Sequence, residues 1–395
     1  MDRIPAFFYR FLASRMLVSV QMNAFIIFFL WLIVEDYNSV FLAGMTSVVY
    51  LAVEIVASIP IGHLIDRVNS TVISAVSSVI AAVGPALLFF GYSLPIIYAA
   101  TAFITLGLTM KGDSFSATIK KHLSEDQFIA GNSRNQAASF ASTLTGTVLG
   151  GAAIIFFSGY MSYVLLAISL ASIGSSMPIK EKREKPSGGV IKEMAGAIGF
   201  YRKILGFVII AFIINGLFES LDVYSSGLFH IVLKTSPIYY TLFIASISIG
   251  GIIGAVPASR MKQRRNSAVI ISLMVFLYAP LFLILSINRN PIIDVIDALT
   301  IGIFLSLINV PLQSKLMKII PRNIYGKIMA FLRIFISGST PVMAVIFSSV
   351  SLLDPVNVIL FYIGILLFPI TILAFAVLPG FMRLETSDSL ESVVA

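Results

Sequence analysis

The chain has 395 residues, of which 58% are hydrophobic and 12% are charged. This composition excludes an ordinary soluble globular protein, in which about 25% of residues are charged. The absence of cysteine excludes disulfides and thiolate metal sites, and the net charge of +8 needs an explanation from the distribution of basic residues along the chain. Composition therefore indicates an integral membrane protein.

Apolar stretches define twelve predicted membrane-spanning helices, each long enough to cross about 30 Å of hydrocarbon. Their predicted ranges are 12–34, 40–61, 71–90, 95–117, 134–157, 160–179, 204–228, 237–258, 267–287, 292–316, 328–350 and 356–379. The first is too long for a cleaved signal sequence and is expected to remain as a helix. We predict an all-α protein with an N-terminal six-helix bundle (1–179), a polar linker (180–203) and a C-terminal six-helix bundle with a short tail (204–395).

The basic residues predict how the chain is oriented. Twelve spans put both termini on one side, and of the 27 lysines and arginines all but Lys234 and Arg289 fall on that side. Cytoplasmic loops of membrane proteins are enriched in lysine and arginine. We therefore expect a multi-pass plasma-membrane protein with both termini and the linker in the cytoplasm, and the same bias explains the positive charge without nucleic acid.

The most distinctive motif is the charged segment 62–70, between the second and third spans. Alone it would read as an ordinary polar turn, in which Gly62 ends a helix. It resembles the loop signature of the major facilitator superfamily, although Asn69 and Ser70 depart from the family pattern. The residues that match are Gly62, Leu64, Asp66 and Arg67.

An internal repeat strengthens this resemblance. Pro60 precedes Asn69-Ser70 by the same distance as Pro257 precedes Asn266-Ser267, which indicates a duplicated unit. In the superfamily, two pseudo-symmetric six-helix halves alternate around a central substrate site. The resemblance implies that Asp66 and Arg67 belong to a cytoplasmic latch, with Arg333 as a basic partner.

Three further segments resemble exporters within the superfamily. The glycine motif at 146–151 is similar to a motif of drug exporters, with Thr147 in place of a proline, and the segments 119–133 and 317–327 resemble loops of macrolide-efflux and siderophore-exporter relatives. The alternative interpretation of the glycine motif is close helix packing, because small residues let helices approach. The residues concerned are Gly146, Gly150 and Gly151.

Polar side chains inside the spans are the candidate binding residues, because a charge at the bilayer centre costs at least about 2.5–3.5 kcal/mol. Two alternatives stay open. Glu54 would either exchange a proton or form a structural pair with Lys111, and the acids Asp294 and Asp297 would either bind or only complement the dipole at a helix start. The candidates for substrate or proton binding are Gln21, Asn23, Glu54, Glu219, Asp222 and Asp297.

The third, sixth, ninth and twelfth spans contain no charged residue, and we expect them to be peripheral supports. The favoured function is a monomeric secondary transporter, with no enzyme activity and no cofactor, that exports amphipathic or cationic small molecules in exchange for protons. The alternatives are a proton-coupled uptake symporter and a transporter-like receptor. The three histidines lie near loops and far apart along the chain, which argues against a membrane enzyme with a metal centre.

Overall fold

A computed structural model describes residues 5–123, 125–176, 198–260, 265–319, 332, 335–336 and 338–383. These residues form helices and connecting turns, with no strand among them. The α-helices of this part of the chain are α1 (Ala6–Tyr37), α2 (Val40–Arg67), α3 (Ser70–Leu87), α4 (Leu94–His122), α5 (Glu125–Phe156), α6 (Met161–Ser175), α7 (Ile198–Gly227), α8 (Pro237–Arg260), α9 (Arg265–Ile287), α10 (Pro291–Ile319), α11 (Ser339–Val350) and α12 (Val356–Arg383). Short 3-10 turns follow α3 and precede α6, and a π-helical turn follows α7.

These helices confirm the predicted all-α membrane architecture, because each predicted span overlaps one of them. Within the described residues, eleven helices are long and apolar enough to cross a membrane. The remaining one, α11, has 12 described residues and follows a stretch that lies mostly outside the described ranges. In the predicted linker, residues 180–197 also lie outside these ranges, and α7 already begins at Ile198.

The helices fall into two compact units, Met1–Pro186 and Ser187–Ala395. In the first unit α1 packs against α5, and α3 packs against α4. At the α1–α5 contact, a Cβ atom on Gly146 would lie 2.5 Å from the Cβ of Asn23, and one on Gly150 would lie 2.6 Å from the Ala24 carbonyl oxygen. No side chain fits at such distances, so glycine sets the spacing of these two helices.

In the second unit α8 packs along α10, and α9 along α12. Glycines bring the α8 and α10 backbones together. A Cβ atom on Gly250 would overlap the Leu299 carbonyl oxygen, and a Cβ atom on Gly302 would overlap that of Ile247. The two helices are therefore in backbone contact along this stretch.

The connection between α2 and α3 is shorter than predicted. Helix α2 continues through Gly62 to Arg67, so that only Val68 and Asn69 separate it from α3. Asn69 caps α3 by accepting from the Thr71 backbone N–H at 2.8 Å. The expectation that Gly62 ends the helix was wrong, and a Cβ atom there would meet no described atom within 4 Å.

Candidate functional site

The first unit contains a buried cation, Lys111 on α4, that has no exposed surface. Its ammonium Nζ donates to the Ser74 carbonyl oxygen, to Ser78 Oγ and to Ser176 Oγ, each at 2.6 Å, and contacts Ser74 Oγ at 3.1 Å. Ser74 and Ser78 lie on α3, and Ser176 is the residue that ends α6. One side chain thus joins three helices.

A network of serine hydroxyls extends from this ammonium to α1. Ser78 and Ser172 are 2.9 Å apart at their Oγ atoms, and Ser14 lies 2.5 Å from Ser176 Oγ and 3.0 Å from Ser172 Oγ. All of these serines are buried. We call Lys111, Ser14, Ser74, Ser78, Ser172 and Ser176 the lysine–serine cluster.

The cluster corrects two expectations. All four hydrogen bonds of the ammonium go to serine oxygens, so the hypothesis that Glu54 pairs with Lys111 was wrong. The third and sixth spans, expected to be apolar supports, supply the polar face that holds it. Glu54 itself is half-buried on α2.

Gln21 and Asn23, the two amides predicted to bind substrate, occupy different environments on α1. Gln21 is fully buried, donates to the Ala81 carbonyl oxygen at 3.0 Å and accepts from Ser169 Oγ at 2.9 Å. Both ends of its amide are occupied, so Gln21 bridges α1, α3 and α6 rather than facing a cavity. Asn23 is partly buried and donates to the Ser19 carbonyl oxygen at 2.8 Å, one turn earlier on the same helix.

In the second unit, α7 carries Glu219 and Asp222 three residues apart, which places them on the same face of the helix. The side chain of Asp222 is exposed. It acts electrostatically on Tyr240, a fully buried residue of α8. For Glu219 the structure describes only the backbone, inside α7.

Asp294 and Asp297 are the buried acids of α10, with 0% and 5% of their surface exposed. Asp294 lies in the first turn, as the dipole interpretation expects. However, the Oδ2 atom of each carboxylate is inaccessible and has no hydrogen-bond partner among the described residues. A dipole interaction leaves those two oxygens unexplained, because buried polar atoms are nearly always hydrogen-bonded.

The residues of the proposed latch lie at the end of α2 and outside the described ranges. Asp66 and Arg67 occupy the last turn of α2, where the structure describes their backbone. Arg333 lies outside the described residues.

The sequence analysis missed a small cavity between α1, α4 and α5, with both apolar and polar side chains in its lining. The cavity measures ≈ 40 Å³ and includes Arg15, Ser19, Asn135, Ser139 and Ser142 in its lining. The Arg15 guanidinium donates to Asn135 Oδ1 and lies 5.3 Å from the centre of the Phe115 ring. The volume suits a few water molecules, whereas drug-sized ligands occupy about 300–1,000 Å³.

Sites for a resident metal are absent from the part of the chain that the structure describes. There, no three His, Asp or Glu side chains group in a way that could hold a metal ion. The chemistry available in the described helices is therefore that of single carboxylates, carboxylate pairs, the two buried lysines Lys111 and Lys315, and hydroxyl networks.

One of the comparisons with known proteins identifies a family. The family model for the Major Facilitator Superfamily matches residues 11–345. Among solved structures, the chain is similar to a point mutant of the nucleoside transporter NupG, with a TM-score of 0.71 and 10% sequence identity, over 95% of this chain and 100% of that one. At that identity the likeness concerns the fold. No curated protein sequence matches the chain.

Proposed function

Because the chain belongs to the major facilitator superfamily and is therefore a membrane transporter rather than an enzyme, we propose that it exports small amphipathic or cationic compounds in exchange for protons. The resemblance of its loops to those of efflux proteins supports the direction. The bias of its basic residues supports a plasma-membrane orientation with both termini in the cytoplasm.

The observation that carries the proposal is the charge imbalance of four membrane spans in the second unit. The four spans Ile204–Val232, Pro237–Ala258, Ala268–Ile287 and Pro291–Leu312 contain no lysine or arginine. They contain four acids, Glu219, Asp222, Asp294 and Asp297. A carboxylate inside a membrane protein is costly unless it binds a proton or another cation. These spans therefore favour cations.

Competition for one carboxylate would couple the two movements. A proton and a cationic substrate cannot both neutralise the same carboxylate, so the binding of one favours release of the other. When the protein changes conformation between the two events, the two ligands move in opposite directions. Of the two acids on α7, Asp222 is the one whose side chain the structure describes, and it acts electrostatically on the buried Tyr240 of α8. We assign Glu219, Glu54 and Asn23 supporting roles in binding.

We further propose that Asp66 and Arg67 form the latch that closes the cytoplasmic side, with Arg333 as a basic partner, in a protein that acts as a monomer. A latch contact exists in one conformation and is lost in the other. It therefore shifts the balance between the two states without touching the substrate.

The test is substrate flux in proteoliposomes. Candidate compounds are first selected by thermal shift on the purified protein, and flux of those that bind is then measured with and without an imposed pH gradient. We compare wild type, Glu54→Gln, Glu219→Gln and Asp222→Asn, with Glu35→Gln as a control. Glu35 is an exposed acid near the end of α1 that accepts from Trp31 Nε1 at 3.0 Å.

Gradient-driven export that is lost in at least one of the three variants and kept in the control supports the proposal. Flux in wild type that ignores the pH gradient, or gradient-driven flux that survives in all three variants, would exclude coupling by these carboxylates. Movement of substrate together with protons would identify an uptake symporter. Ligand binding without flux would identify a receptor.

A further inference from the structure

The turn before α10 holds one carboxylate of that helix in place. Asn288 donates from Nδ2 to Asp294 Oδ1 at 2.7 Å and to the Asn290 carbonyl oxygen at 2.6 Å. The Oδ1 atom of Asn288 accepts from the Asn290 backbone N–H at 3.2 Å, so the backbone of this turn holds the Asn288 amide in position. Asp294 therefore has one oxygen satisfied by a positioned donor, and its Oδ2 remains without a partner.

Asp297 lies one helical turn further along α10, on the same face as Asp294. Its carboxylate is buried, and its Oδ2 has no hydrogen-bond partner among the residues that the structure describes. Asp294 is close enough to act electrostatically on it. Two neighbouring carboxylates, each with an orphaned and inaccessible oxygen, indicate a ligand that both would share.

The surroundings offer little positive charge. Arg289, in the turn, is exposed and acts on Asp294 from beyond ion-pair distance. Helices α8 and α9 pack against α10, and their spans contain no lysine, arginine or acid. Their titratable groups are the tyrosines Tyr239, Tyr240 and Tyr278. Two negative charges one turn apart in such surroundings would carry a large desolvation and repulsion penalty.

We propose that Asp294 and Asp297 form one binding site for a single small monovalent cation, a proton or a sodium ion. Either ligand removes one negative charge and gives the orphaned oxygens a partner. A proton would be shared between the two carboxyl groups, as in other close acidic pairs. A sodium ion would be bound as a hard cation by carboxylate oxygens. The inference rests on the proposed ion-coupled transport and names its ion site.

The first measurement uses the purified wild-type protein in detergent. In sodium-free buffer at neutral pH, infrared spectroscopy detects the carbonyl stretch of a protonated carboxyl group, and binding of radioactive sodium is measured by scintillation proximity at alkaline pH. A buried protonated carboxyl band identifies the proton. Saturable binding of about one sodium ion per chain identifies sodium.

The second measurement assigns the signal to the pair. Asp294→Asn and Asp297→Asn are nearly isosteric and are checked for a monodisperse elution profile. Each should weaken sodium binding on the order of tenfold or more, and the double variant, which leaves no carboxyl group in the pair, should abolish the carboxyl band. Asp36→Asn removes an exposed acid near the end of α1 and should leave both signals unchanged.

Absence of both signals in wild type would overturn the proposal, because both carboxylates would then be ionised with no bound cation. A carboxyl band that survives in the double variant, or sodium binding that survives in both single variants, would also overturn it, since other groups would be responsible. These measurements need no substrate. Failure of export in proteoliposomes therefore refutes the proposed function without deciding the ion site, and the reverse also holds.

Discussion

The two units bury charge in opposite ways. In the first, Lys111 is enclosed, and four hydrogen bonds to serine oxygens satisfy its ammonium. In the second, Asp294 and Asp297 are equally enclosed, yet each keeps an oxygen without a partner among the described residues. A buried charge that the protein's own groups satisfy needs no ligand, whereas a buried charge that they leave unsatisfied requires one.

The largest expected effect is in a topology experiment, which tests the side of the membrane to which the acidic pair, Asp294 and Asp297, is closest. A residue is either labelled from outside or not, so the result is all or none. In this cysteine-free chain, single cysteines are introduced at Asn290, in the turn before α10, and at Ser187, which lies outside the described residues. With the cytoplasm on the basic side, an impermeant thiol reagent applied to intact cells should label only Asn290→Cys. Labelling of Ser187→Cys from outside would invert the topology and place the acidic pair nearest the cytoplasm.

The next effect is on stability of the first unit. Lys111→Ala should lower the free energy of unfolding by about 3 kcal/mol, because it removes the ammonium from three helices and leaves a cavity. Unfolding by denaturant in detergent can be followed by the fluorescence of Trp31, the only tryptophan. Lys234→Asn, which changes an exposed lysine with a left-handed backbone, serves as the control. An equal loss in both variants would mean that the lysine–serine cluster adds nothing specific.

The acidic pair should respond with the opposite sign. In sodium-free buffer at alkaline pH, Asp297→Asn should raise the free energy of unfolding by about 1 kcal/mol, because it removes a buried charge that lacks a partner. The new amide also offers a donor to Asp294 Oδ2. The same fluorescence assay measures the change, with Asp36→Asn as the matched control. A clear loss of stability would show that Asp297 already has a stabilising partner.

The last prediction concerns the contribution of a single serine to the lysine–serine cluster. Ser176→Ala should cost about 1 kcal/mol, because Ser74 and Ser78 still hold the ammonium. Ser175→Ala is a close control, since that hydroxyl bonds only to carbonyl oxygens of its own helix, at 3.0 Å. If Ser176→Ala destabilises as strongly as Lys111→Ala, the cluster behaves as a cooperative unit rather than as separate bonds.

Hydropathy could predict the fold because a membrane-spanning helix satisfies its backbone hydrogen bonds internally and is therefore recognised from its apolar length. The ends of the helices were predicted less accurately. The predicted span 40–61 stops where the sequence becomes polar, whereas α2 runs on to Arg67, because a helix can continue beyond the apolar layer. The latch motif was therefore expected in a turn, although Gly62, Asp66 and Arg67 lie within the helix.

The site was predicted only in part, because the predicted binding residues were charges and amides, whereas the buried cluster also depends on serine hydroxyls. Ser74 and Ser78, at i and i+4 on α3, share a face, and Ser172 and Ser176 repeat that spacing on α6. This pattern could have identified the cluster around Lys111. The burial of Asp297 could not have been predicted in the same way, since it depends on how α8 and α9 pack on α10, and one sequence does not specify that packing.

The backbone contact between α8 and α10 has a mechanical consequence. The main chains of α8 and α10 touch at Gly250 and Gly302, so the helices cannot slide or separate without losing this close packing. The two helices are therefore expected to move together as one rigid element. A displacement of α10 caused by an ion that binds or leaves near its first turn would therefore move α8 as well, instead of being taken up by side-chain rearrangement. Gly302→Ala would force the two helices apart near the middle of their contact. The ion site would then no longer be coupled to α8, although both carboxylates would remain in place.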